Sequence, residues 1–292
     1  MMNNTNATTS LIFKGSGPGD EFGFNVQNYN LVTRSQSSHK PPHSNLFFFR
    51  RINNHQLIAV KGFGDQRQEI VLLNTQNDSI EVLAWIENAA LMFPALSPDM
   101  GSIAVLILPG RRDAPPRNSA IAHLCHFPLN FSGSDLSKRR ITITETVAQN
   151  LPAIPIDWDT SEKGIFYTGI NKTPHIYYYD LINRKSHQVR TGLFPRLNAD
   201  KTLLALIDDR NILVVNPQCP EKILASTTLN GHPGYLTWHP ESTLLAFSEE
   251  LPMWRMKIGI IDVKEAAVKT IMETARIKDL VWIDSYITWP KY

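Results

Sequence analysis

The chain has 292 residues, 42% of them apolar, which is long for one ordinary domain but usual for an all-β barrel or propeller folding as one unit. Its 29 basic and 27 acidic residues leave a formal charge of +2, which argues against the basic stripe of a nucleic-acid-binding surface. Two cysteines, Cys125 and Cys219, are too few for a disulfide framework, and no run approaches the roughly 18 apolar residues of a membrane helix.

The first ten residues have neither the basic nor the apolar segment of a secretory signal. The expectation is a cytoplasmic, soluble chain forming a single domain over 1–292, with 1–9 disordered. Strand-like runs follow at 11–13, 22–26 and 29–33. The Ser-, Pro- and His-rich stretch 35–44 reads as a flexible loop within the domain.

From there a cadence repeats. A large apolar residue precedes a short polar turn, and a run of small and branched apolar residues follows. It reads Phe-Pro-Ala-Leu-Ser-Pro-Asp-Met-Gly-Ser-Ile-Ala-Val from Phe93, Ile-Asp-Trp-Asp from Ile156, Pro-Arg-Leu-Asn-Ala-Asp from Pro195 and Leu-Thr-Trp-His-Pro-Glu from Leu236. The residues before the turn, Phe49, Leu96, Trp158, Leu197, Trp238 and Trp282, lie 47, 62, 39, 41 and 44 positions apart. Four of these intervals match one four-stranded propeller blade of about 40–50 residues. The long one holds a Pro- and Arg-rich insertion, 109–118, read as a second flexible loop, and a Ser-rich loop at 132–140.

Each unit supplies further strands, rich in β-branched and aromatic residues and bounded by Gly, Pro, Asn and Asp. Second strands are expected at 57–60, 103–108, 165–168, 203–207, 244–248 and 286–289. Third strands fall at 70–73, 121–125, 175–179, 212–215 and 257–261, and fourth strands at 79–83, 141–144, 187–190, 222–224 and 268–271. A helix at 263–274 is the weaker reading of that stretch. The last unit is incomplete, and the N-terminal strands supply what it lacks, because closure removes exposed sheet edges. The expected fold is an all-β, six-bladed β-propeller closed by pairing of N- and C-terminal strands in one blade, two strands from each end. The Trp residues at the repeat position are expected to pack between blades.

The repeat resembles the TolB-like, WD-repeat-like family of six-bladed propeller repeats. Ser97-Pro98-Asp99 with Ile103-Ala104 is similar to the family consensus, as is Trp238-His239-Pro240-Glu241 with Leu245-Ala246-Phe247. His175–Leu181 and Ile258–Val263 look like its third strand and following turn. The resemblance covers about 46–290 and departs from the consensus at Met100, which stands before Gly101. It implies a fold and carries no catalytic residue over, because one fold hosts many functions.

The chemistry-bearing clusters are sparse. His123-Leu124-Cys125-His126 is metal-like, but on a strand His123 and Cys125 share a face that His126 leaves, and a closed zinc site needs four ligands. No metal and no cofactor is expected. Gly15-Ser16-Gly17-Pro18-Gly19 lacks the following helix that a phosphate cradle uses. In a propeller the connections from second to third strand open on one side. Here they carry Arg111, Arg112 and Asp113; Lys172; Asp208, Asp209 and Arg210; and Glu249, Glu250, Trp254 and Arg255. Trp and Arg are enriched at interface hot spots. The expected function is a non-catalytic protein-recognition or scaffold module using this loop face around the channel. The expected partner is another protein, with a small polar ligand second, and with no nucleic acid or membrane. The alternative is a hydrolase, lyase or biosynthetic enzyme acting on a small polar substrate at the channel mouth, and the sequence does not decide between them.

Overall fold

A computed structural model describes residues 10–15, 25–31, 35–39, 46–53, 55–62, 67–75, 77, 79–109, 122–129, 139–141, 146–159, 163–241, 243–252, 255–274 and 279–283. The expectations for 1–9, for 110–118 of the first insertion, for 132–138 of the Ser-rich loop and for a strand at 286–289 lie outside them.

The described strands form six four-stranded sheets. Five take four consecutive strands each. The first of these holds β4 (Leu46–Asn53), β5 (Gln56–Lys61), β6 (Gln68–Asn74) and β7 (Ile80–Ile86). The next holds β8 (Ala89–Leu96), β9 (Ser102–Pro109), β10 (Ala122–Pro128) and β11 (Thr146–Leu151). Then come β12 (Asp157–Trp158), β13 (Gly164–Asn171), β14 (Thr173–Asp180) and β15 (Lys185–Thr191). They are followed by β16 (Leu193–Leu197), β17 (Leu204–Asp208), β18 (Asn211–Asn216) and β19 (Cys219–Thr228). The last consecutive set is β20 (His232–Trp238), β21 (Leu244–Leu251), β22 (Arg255–Asp262) and β23 (Ala267–Thr274). The sixth sheet is composite. Here β1 (Ser10–Gly15), β2 (Asn25–Asn30) and β3 (Ser35–His39) join β24 (Asp279–Ile283), which pairs antiparallel with β1.

The all-β propeller is therefore the fold observed, with differences of detail. Ser35–His39, expected within a loop, is a strand pairing with β2. The composite sheet thus takes three strands from the N-terminal side and one from the C-terminal side. The stretch 263–274 holds a strand, as preferred. The fourth strand of the second consecutive sheet is β11, not 141–144. Arg140 instead makes a parallel bridge to Trp85, and the Ile141 amide donates to the Trp85 carbonyl at 2.7 Å, so this segment lies along the outer strand of the preceding sheet. There Trp85 sits between the guanidinium groups of Arg67 and Arg140, at 4.4 and 5.4 Å from the ring centroid. A covered outer strand is a guarded edge.

The second strands are apolar on both faces because each feeds two cores. Successive side chains alternate. Ile103, Val105 and Ile107 pack toward β5, while Ala104 and Leu106 pack toward Trp158 and Ile165. Likewise Leu204 and Leu206 face Phe166 and Ile176, while Ala205 and Ile207 face Leu245 and Phe247. The repeated indoles staple neighbouring sheets. Trp158 and Trp238 are buried, and each Nε1 donates to a carbonyl of the preceding sheet's first strand, Ala95 at 2.7 Å and Arg196 at 2.8 Å. No helix among the described residues is long and apolar enough to cross a membrane.

Candidate functional site at the channel mouth

The first strands of the sheets touch in a cycle, β24 to β4, β8, β12, β16, β20 and back to β24, so they surround a central axis. Four of them are bulged, between Phe47 and Arg50, Met92 and Ala95, Leu193 and Arg196, and Pro233 and Leu236. A bulge kinks a strand and re-aims the side chains beside it. Phe48, Phe93 and Phe194 take up the bulges in the left-handed region, at φ 56°, 51° and 57°. Phe48 meets Phe93 at 4.5 Å between centroids, and Phe194 meets Tyr235 edge-on at 6.3 Å. Phe48, Phe93 and Tyr235 border a void of only about 10 Å3.

On the side of the short polar turns the axis opens into a cup of about 450 Å3. Phe49, Arg50, Arg196, Leu236 and Leu280 line both the cup and the small void, so the aromatic neck adjoins the cup's inner end. Its walls are polar at Asn53, Asn198 and Thr237 and apolar at Ile52, Met100 and Pro240.

The charge centre of the cup is Asp157, whose side chain is 1% exposed. Its Oδ1 is ion-paired with the Arg50 guanidinium and lies 3.7 Å from the Lys201 ammonium. The same oxygen accepts the Trp158 amide at 2.8 Å, and Oδ2 accepts the Leu197 amide at 2.9 Å. The Ile156 carbonyl accepts from both Arg50 and Arg196, each at 2.9 Å, and Arg196 Nε also donates to Leu236 O at 3.3 Å. Lys201 Nζ donates to Trp158 O at 3.2 Å. One carboxylate thus ties together three sheets, and Arg196 extends the network to a fourth through Leu236. Burial alone would push the Asp157 carboxyl up, but the charges of Arg50, Lys201 and Arg196 outweigh it and hold its pKa at about 2. Burial pulls the Lys201 ammonium below its ordinary value, against the attraction of Asp157.

The residues first singled out lie elsewhere. Arg111, Arg112, Asp113 and Trp254 fall outside the described residues. Lys172 is exposed at φ 64° in the tight connection from β13 to β14, where Asn171 pairs with Thr173. Asp209, at φ 55°, and Arg210 are the exposed tip of the equally tight turn from β17 to β18, and Asp208 closes it opposite Asn211. Arg255 is exposed and 3.3 Å from Glu273, and Glu250 is exposed. Glu249 is not a rim charge. It is fully buried, because it shares its strand face with Leu245 and Phe247, and it stands directly opposite Lys257, its ion-pair partner. Its Oε1 accepts the Gly231 amide at 2.6 Å. Glu249 and its neighbour Glu250 therefore stand in different surroundings, one buried and one exposed. The described connections from β13 to β14 and from β17 to β18 lie at the opposite ends of the strands from the cup. His126 packs edge-on against Trp158 at 5.6 Å, and the buried Cys125 thiol is pushed up to about 11 by burial, against a hydrogen bond with Thr146. No His, Cys, Asp and Glu group suited to a metal ion occurs among the described residues.

The sequence reading missed Arg50, Asp157, Arg196 and Lys201. Their one signal lies within the repeat. Arg50, Ala95, Asp157, Arg196 and Thr237 occupy one register position, opposite Ile58, Ala104, Phe166, Ala205 and Ala246 of the next strand. The anchor is large and apolar at Leu96, Trp158, Leu197 and Trp238 while this neighbour changes character; in the first sheet Arg51, not Phe49 as expected, stands at the anchor's register.

No family model matches the chain, and no curated protein matches it in sequence. Its fold is similar to that of solved structures. TolB from Acinetobacter baumannii superposes with a TM-score of 0.65 at 15% identity, over 94% of this chain and 66% of that one. The chain thus spans a little under two thirds of that protein. A putative TolB from Agrobacterium tumefaciens gives 0.61 at 13% identity, over 91% of this chain and 88% of that one. The periplasmic gluconolactonase of Pseudomonas aeruginosa gives 0.53 at 14% identity, over 94% and 99%. Likeness at these identities shows the propeller fold alone.

Proposed function

We propose that the chain is a non-catalytic recognition module, a six-bladed propeller closed by its composite sheet, which binds its partner or ligand at the cup on the short-turn side. The β1–β24 pairing and the cycle of first strands support the sixth blade. The observation that carries the function is a cup of about 450 Å3 whose one lining carboxylate among the described residues, Asp157, is ion-paired with cations. That volume falls in the range of small-ligand sites, roughly 300–1,000 Å3. A general acid or base works best with a pKa near the operating pH. Asp157, held at about 2, instead organises the cations around it, which favours binding over catalysis at this mouth.

The competing surface is the opposite loop face, with Lys172, Asp208, Asp209, Arg210, Glu250 and Arg255. Two double variants separate the two. Asn53→Trp with Ala199→Trp obstructs the cup from exposed positions, and Lys172→Ala with Arg210→Ala alters the other side. Each is immobilised beside the parent, and what it retains from a native extract is compared. The species retained by the parent is expected to be lost from the obstructed variant and kept by the other. The reverse outcome places recognition on the loop face, and turnover of a small substrate by the parent replaces this reading with the enzymatic one.

A further inference from the structure

We propose that two copies of the chain associate about a twofold axis through the outer edge of β23, joining their β20–β23 sheets into one continuous sheet. The contact uses the rim of the ring and no residue that lines the cup, so it goes beyond the recognition reading.

The edge comes first. β23 is the terminal strand of its sheet, and among the described residues no strand pairs with its outer side. Such an edge presents backbone donors and acceptors to which another strand can add. Ala267, Val268, Lys269, Thr270 and Glu273 are all exposed, Val268 at 44%. The outer strand β7 shows what an edge of this kind accepts. There Arg140 bridges Trp85, and the Ile141 amide donates to the Trp85 carbonyl. Both strands carry one extra residue in their ladder, Leu83 in β7 and Ile271 in β23. A bulge at this place is therefore compatible with chain lying along the outer side.

The second observation is that β23 is complementary to itself. It reads Ala-Val-Lys-Thr-Ile-Met-Glu-Thr. Antiparallel pairing of two copies centred on Ile271 sets Lys269 of each opposite Glu273 of the other. A twofold contact requires this reciprocity, in which one residue meets a second and the second meets the first. Opposite charges directly across a strand pair are favourable, and like charges are unfavourable. Arg255 lies 3.3 Å from Glu273 with both side chains about half exposed, and an exposed pair of that kind contributes little to hold Glu273 back. Ala267, Lys269 and Ile271 also line a groove of about 480 Å3 with Leu31, Leu244 and Ile260, so apolar surface continues beside the axis. The other outer strands lack this symmetry. β15 has Lys185 and Arg190 and no acid, and β3 and β11 have no Asp, Glu, Lys or Arg. In β19, Glu221 and Lys222 fall where the ladder skips from Ile223 to Cys219.

Sedimentation velocity of the full chain over a concentration series tests this. The parent is expected to pass from monomer to dimer and no further, because an isologous contact closes at two copies. Lys269→Glu sets like charges across both cross-strand pairs, and Glu273→Lys does the same with the opposite sign. Each variant alone is expected to dimerise about tenfold more weakly than the parent. Mixed in equal amounts, the two variants are expected to regain the parent's association, since each introduced charge then meets its opposite. That recovery also separates lost pairing from lost folding. Asn53→Trp with Ala199→Trp, which obstructs the cup, should dimerise as the parent does. A parent that stays monomeric up to about 1 mM overturns the proposal. So does a dimer that both charge variants keep, a mixture that fails to associate, or a species that grows past two copies.

Discussion

Replacing Asp157 by asparagine tests whether this carboxylate holds the ring together. The side chain keeps its shape and one acceptor for the Leu197 amide, but it no longer offsets Arg50, Lys201 and Arg196. Removing one partner of a buried ion pair costs about 3–5 kcal/mol, because the remaining charge is left uncompensated. Equilibrium urea unfolding at neutral pH should therefore show Asp157→Asn less stable by that amount. The acid limb gives an independent check. The folded pKa of about 2 lies below the ordinary 3.8, so the stabilisation is fully present above about pH 4 and is lost as pH falls through 2. At about 1.4 kcal/mol per pH unit separating the folded and unfolded values, that limb contributes on the order of 2 kcal/mol. The parent should lose this much more stability than Asp157→Asn between pH 4 and pH 2. A variant within about 1 kcal/mol of the parent at neutral pH, or one with the parent's acid dependence, would refute the role given to Asp157.

Trp238→Ala removes a buried indole and its hydrogen bond to Arg196 in the neighbouring sheet, and should cost about 3–5 kcal/mol in the same urea assay, whereas a loss under 1 kcal/mol would contradict the stapling role. Cys219 is exposed while Cys125 is buried with its thiol pushed up to about 11, so a thiolate-specific disulfide reagent at pH 8 should label one cysteine in the native protein and both after denaturation. Removing 279–292 takes β24 away from β1 and opens the ring, so the truncated chain should lose the parent's cooperative thermal transition; melting at the parent temperature would mean that closure contributes nothing.

The fold was legible because its strongest constraint is local. Strands buried on both faces, such as Ile103–Ile107, must be apolar at every position, and the turns before them need Ser, Pro, Asp or Asn. Both signals lie within a dozen residues and repeat. Ser35–His39 escaped because its neighbours are Ser, Gln and His, and its strand character comes only from pairing with β2. Ile141 was misplaced for a related reason: a short apolar run after a long insertion does not say which sheet it will border.

The cup was not legible, because its chemistry is assembled across the ring. Arg50 and Asp157 stand 107 positions apart, and the pair Arg50-Arg51, read alone, looks like a solvated turn. The charged residues at the opposite loops drew attention because loops often carry function. Yet Lys172, Asp209 and Arg210 sit at tight hairpin tips, and Glu249 is neutralised inside a sheet interface. In a ring of repeated sheets the conserved geometry of the first strand makes one side chain per repeat converge on the axis. A repeat reader should therefore look for the position whose chemistry varies beside an unvarying anchor. Here that position holds Arg50, Ala95, Asp157, Arg196 and Thr237. The packing role of the anchor leaves it free to vary, and the axis gathers its charges into one site.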